Sequence, residues 1–83
     1  MKVEIKNSDL EPASIHSLLV YFESLSDSPK WEYNGLKVEV DPTIDLKGND
    51  ALIRWTDIEE GFNDKLIVSS LEEFQTNFQL LNA

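Results

Sequence analysis

Apolar side chains recur along this chain of 83 residues in two periods, and the switches between them mark out its elements. Val3 and Ile5 alternate with Lys2, Glu4 and Lys6, the period of two expected of a half-buried strand. From Ile15 the period lengthens: Ile15, Leu18, Leu19, Phe22 and Leu25 fall on one helical face. Ser8 and Glu11 have capping-box spacing and Pro12 suits a first turn, so the helix is expected to start between Ser8 and Pro12. Ser24, Ser26, Asp27, Ser28 and Pro29 end it.

The sharpest local signal is Asn34-Gly35 between two alternating runs, the residue pair that a two-residue type I′ hairpin turn requires because both positions need positive φ. That turn sets Tyr33 opposite Leu36, Glu32 opposite Lys37, Trp31 opposite Val38 and Lys30 opposite Glu39. Trp31, Tyr33, Leu36, Val38 and Val40 then share an apolar face, and the opposed pairs on the other face carry opposite charges. Beyond the hairpin, Asp41-Pro42 and Gly48-Asn49-Asp50 bracket an expected polar loop containing Ile44 and Leu46. Residues 51–58 read as a strand with apolar residues on both parities, which suggests a central position. A loop over 59–64 and a strand over 65–69 follow. Leu71, Phe74, Phe78 and Leu81 make the stripe of a last helix, with Ser70 and Glu73, or Ser69 and Glu72, as its capping box. The order β-α-β-β-β-β-α implies an α+β fold: an antiparallel or mixed sheet of about five strands with two helices packed on one face. Residues 1–83 are expected to form a single domain.

Composition narrows the function. Hydrophobic residues make up 41% of the chain, too much for a disordered acidic tail, and there is no cysteine, so no disulfide compensates for small size. The N-terminus has no signal-peptide pattern, no stretch is long enough to cross a bilayer, and no lipidation signal ends the chain. A soluble protein of the cytoplasm, in a bacterial cell or a phage-infected host, is expected. The net charge of −9 disfavours contact with nucleic-acid phosphates and favours basic surfaces. On the expected sheet, the solvent face carries Lys2, Glu4, Lys6, Lys30, Glu32, Lys37, Glu39 and Arg54, mildly basic in sum. The acidic surplus is left to helices and loops. Asp9, Glu11, Glu72 and Glu73 are expected at helix N-termini, where they would complement the macrodipole.

Seven further acids, Asp41, Asp45, Asp50, Asp57, Glu59, Glu60 and Asp64, gather in two loops before and after the 51–58 strand. In a meander these loops lie at opposite ends of the sheet. Phe62 stands among the second group beside Gly61, either as an anchor for a partner or folded back as a pin over the core edge. The seven acids and Phe62 are the candidate partner-binding residues. Neither acidic loop has the ligand order of an EF-hand, so no metal is expected. His16 borders the apolar stripe of the first helix without a catalytic companion. No nucleophile elbow, phosphate loop or zinc motif occurs. Trp31, Tyr33 and Trp55 are aromatic enough for a base-stacking platform, but the hairpin register places Trp31 and Tyr33 in the core, and no basic stripe accompanies them.

The expectation is a non-catalytic, cofactor-free module that binds a basic protein surface, such as that of a nucleic-acid-binding enzyme. Phage inhibitors of host enzymes, anti-CRISPR proteins and immunity proteins offer an analogy of size and charge, carried by no motif. The alternative is a small structural or regulatory subunit, monomeric or homodimeric through a sheet edge or the mixed-charge face, whose acidity serves only solubility.

Overall fold

The computed structural model describes residues 1–9, 11–26 and 28–81. Its elements are β1 (Glu4–Lys6), α1 (His16–Glu23), β2 (Lys30–Tyr33), β3 (Leu36–Asp45), β4 (Asp50–Asp57), β5 (Asn63–Val68), α2 (Leu71–Asn77) and β6 (Gln79–Leu81). The fold is α+β, with strand order β5-β4-β3-β2-β6 and β1 paired to β3 off that path. Among the described residues the pairings are antiparallel except β1 with β3, which is parallel, so the sheet is mixed.

The hairpin forms as its turn chemistry dictates. Asn34 and Gly35 take φ of 49° and 80°, and Trp31, Glu32 and Tyr33 oppose Val38, Lys37 and Leu36. Lys30 reaches Glu39 at 3.4 Å. Trp31 and Val38 are fully buried, and Lys37 is exposed on the opposite face.

β3 is longer than the expected strand. The polar loop expected from Asp41 is instead continuous strand to Asp45, closed by a four-residue turn over 46–49. Pro42 suggests a strand end in the sequence, because proline is uncommon inside a sheet. Its place explains the exception: β2 pairs with the first part of β3 (Leu36, Lys37 and Val38) and β1 with the last (Thr43, Ile44 and Asp45). Pro42 lies where that edge changes partner, a position where a missing N–H is tolerated. Ile44 and Leu46, assigned to a loop from sequence, are core residues.

Both helices lie over the same sheet face. Ile15, Leu18, Leu19 and Phe22 of the α1 region and Phe74 and Phe78 of the α2 region bury against Trp31, Val40, Ile53 and Val68. Phe22, Trp31 and Phe74 meet edge to face at centroid distances of 5.0–6.3 Å. Among the described residues, the Trp31 indole Nε1 is buried without a hydrogen-bond acceptor.

The first helix starts later than its capping-box spacing suggests, at His16, and no side chain of its own caps it. Asn49 in the β3–β4 turn replaces the local cap: its Oδ1 accepts from the Ile15 N–H and the Ser14 hydroxyl, both at 2.9 Å. The second helix does begin with Ser70, whose hydroxyl accepts the Glu73 N–H at 3.0 Å. It ends earlier than expected. Phe78 is extended and residues 79–81 form β6, an unexpected strand in which Leu81 opposes Lys30. Thr76 and Asn77 donate side-chain bonds to the carbonyls of Glu72 and Glu73, bonding that competes with helix continuation. The open edge of β2 supplies the alternative backbone partner.

Candidate functional site

The eight candidate residues separate into two groups. At one end of β4 stand Asp45 and Asp50, directly opposite each other. Two carboxylates in that position repel, and Asp45 is fully engaged in local structure. Its Oδ1 accepts from Asn7 Nδ2 at 2.7 Å and from the N–H groups of Gly48 and Lys47 at 3.0 and 3.1 Å, and Lys6 lies 3.8 Å from Oδ2. The Gly48 N–H and the Asn7 amide, chiefly, hold its pKa below the ordinary aspartate value. Asp45 is a turn-closing residue. Asp41 belongs to neither end, as it sits within β3 on the open sheet face and accepts the backbone N–H of Lys2 at 2.9 Å.

The opposite end of β4 holds Asp57, Glu59, Glu60, Phe62 and Asp64. Here the chain turns through Gly61, at φ of 82°. The Gly61 N–H donates to the Asp57 carbonyl at 2.9 Å, and the Asp57 N–H donates to the Phe62 carbonyl at 2.8 Å. That pattern is a G1 bulge, in which a left-handed glycine precedes the residue that restarts the strand. Asp57 is buried to 2% exposure, and its Oδ1 accepts the Glu59 N–H at 3.0 Å. It shapes the turn from inside and presents no carboxylate to a partner. Glu59, Glu60 and Asp64 are exposed. The Ile58 N–H donates to the Lys37 carbonyl at 3.0 Å, tying this turn to the β2–β3 hairpin.

Phe62 is in part folded back on the core edge and in part exposed. Its ring stands edge-on to Trp55 at 6.0 Å, yet 49% of the residue remains exposed. Trp55 contacts Tyr33 at 5.1 Å, and Tyr33 stacks on Phe78 at 4.5 Å. A row of rings therefore runs from the core to the surface and surfaces at Phe62. Ile58, 38% exposed, shares the turn. The Tyr33–Trp55 link in this row was missed from sequence because it joins β2 to β4, which are neighbours only through β3.

The open sheet face is more balanced than the sequence suggested. Strand parity places Asp41, Asp45, Asp50 and Lys65 on it with the residues expected there, which gives six bases and six acids. The correction follows from β3 continuing through the supposed loop. Among the remaining described residues, nine acids face a lone base, Lys47. A shallow depression of about 540 Å³ on the open face is lined by Lys2, Glu4, Arg54, Asn63, Asp64 and Lys65 among others. Arg54 there donates to the Asp41 carbonyl at 3.2 Å and the Thr43 hydroxyl at 3.0 Å, and lies 3.5 Å from Glu4.

No family model, curated protein or solved structure matches the chain. Among the described residues there is no group of three or more His, Asp or Glu side chains arranged to hold a metal ion, and no helix is long and apolar enough to cross a membrane.

Proposed function

We propose that this protein is a non-catalytic binding module that presents Phe62, with Glu59, Glu60 and Asp64, to a basic surface on a protein partner. The observation that carries this reading is a half-exposed aromatic ring held on a hydrogen-bonded bulged turn with carboxylates beside it. An aromatic backed by other rings loses little conformational freedom on binding, and carboxylates around it steer a cationic surface toward it. Proteins that handle nucleic acids carry such basic surfaces and are the partner class proposed, with the module acting as an inhibitor that occupies the phosphate-binding surface. Asp41, Asp45, Asp50 and Asp57 take no part, because each sits in the sheet or serves a turn.

Affinity capture from bacterial lysate tests the reading, comparing the wild type with a triple variant carrying Glu59→Lys, Glu60→Lys and Asp64→Lys. Proteins retained by the wild type should be lost with the triple variant and released by salt or by duplex DNA. Identical protein sets on both columns would remove this loop from the interface. Phe62→Ala should lose the same proteins while keeping a folded spectrum.

A further inference from the structure

We infer that β5 is a self-pairing edge, through which two copies of the chain join their sheets around a two-fold axis at Leu66. This inference does not rest on the proposed partner reading, although Asp64 belongs to both surfaces.

β5 ends the sheet and, among the described residues, has no strand on its outer side. Which of its backbone groups are free follows from the ladder. Bonded and non-bonded pairs alternate in antiparallel strands, and Asp57 with Phe62 is a bonded pair. The amides of Asp64, Leu66 and Val68 therefore face β4, and those of Asn63, Lys65 and Ile67 face outward. The Lys65 N–H supports this assignment, because it is taken up locally by the Asp64 carboxylate at 2.9 Å. Ile67, 61% exposed, is the most exposed large apolar residue among those described and lies on this edge strand.

Charge selects a second copy as the occupant. The chain carries −9 overall, but β5 has one acid and one base, so copies meeting here bring balanced strands together. A strongly basic segment would find no negative surplus on this strand. Charge also selects the register. With the axis at Lys65, two ammonium groups would stand opposite each other. With the axis at Ile67, Lys65 would pair with Ser69, beyond the end of the strand. The axis at Leu66 pairs five residues, Asp64 to Val68, within β5, against three with the axis at Ile67, and leaves only Asn63 facing Ser69. Lys65 and Ile67 then exchange both backbone bonds with Ile67 and Lys65 of the second copy, the Lys65 N–H leaving the Asp64 carboxylate that accepts it in the single chain. Leu66 meets Leu66, and the Lys65 stem covers Ile67.

The absence of cysteine makes single-cysteine variants clean reporters of this arrangement. At the axis, Leu66 forms a non-bonded pair with a Cα separation of about 4.5 Å, within disulfide reach. The two Ile67 positions are offset by two residues along the strands and fall beyond the limit of about 7 Å. Under mild oxidation Leu66→Cys should give a covalent dimer and Ile67→Cys should remain largely monomeric. Sedimentation of the wild type should show a monomer–dimer equilibrium. Ile67→Pro, which removes an outward N–H and no bond within the chain, should abolish that equilibrium while leaving the fold intact. A wild type that stays monomeric at every concentration overturns the inference, whether or not the cysteine variants fold. So does cross-linking of Ile67→Cys equal to or above that of Leu66→Cys, or dimerisation that survives Ile67→Pro.

Discussion

Asn49 shows how one side chain can join two elements. It holds a left-handed backbone at φ of 55°, which asparagine tolerates better than most residues, and its Oδ1 takes two donors from the start of α1. Asn49→Ala should destabilise the protein by about 1–2 kcal/mol, from left-handed strain together with loss of the cap. Asn49→Gly relieves the strain and keeps only the loss of hydrogen bonds, so its midpoint in chemical denaturation should fall between those of the wild type and the alanine variant. Gly61 meets the same backbone demand in the β4–β5 turn, where it closes the bulge that positions Phe62.

At the scale of elements, β1 is the piece most dependent on charge. It is a strand of three residues, and much of its attachment runs through carboxylates. Glu4 lies 3.4 Å from Lys2 and 3.5 Å from Arg54, and its Oε2 accepts from the Thr43 hydroxyl at 3.3 Å. Lys2 and the Thr43 hydroxyl, followed by Arg54, hold the Glu4 pKa below 4.5, as the Gly48 N–H and Asn7 hold that of Asp45 below 3.8. A carboxylate whose folded-state pKa is depressed contributes stability above its unfolded value and loses it as pH falls through its folded value. Acid should therefore loosen β1 progressively as pH falls below the ordinary carboxylate range and these two side chains take up protons. Amide resonances of Leu46, whose N–H donates to the Lys6 carbonyl at 3.2 Å, should shift before those of the β3–β4 ladder. Simultaneous movement of both sets would show that β1 has no separate acid response.

Across the whole molecule the sheet divides the charge. One face is balanced, while the surplus lies with the helices, the loops and the chain leading into α1. Self-repulsion of that surplus opposes the compact state and is screened by salt. The thermal midpoint should accordingly rise with monovalent salt from low ionic strength to physiological values. A midpoint that falls would mean that the ion pairs of the sheet face, Lys2–Glu4 and Lys30–Glu39 among them, outweigh the repulsion.

Legibility in the sequence followed the range of the interaction. The 34–35 turn, the β2–β3 register, the stripe of α1 and the Ser70 cap are decided between residues close in the chain. Alternation and turn chemistry were enough to read them. The candidate site was half legible: its exposed acids and Phe62 could be named, but Asp57 looked like a neighbouring surface acid until burial showed its role in the turn.

Tertiary structure decided what depends on a distant partner. It carried β3 through Pro42, because two separate strands share that edge, and it ended α2 early to place β6 beside β2. It also moved the cap of α1 from Ser8 to Asn49. Local pattern records which side chains prefer burial, whereas backbone groups at strand edges and helix ends take whichever partner the packed chain brings within reach.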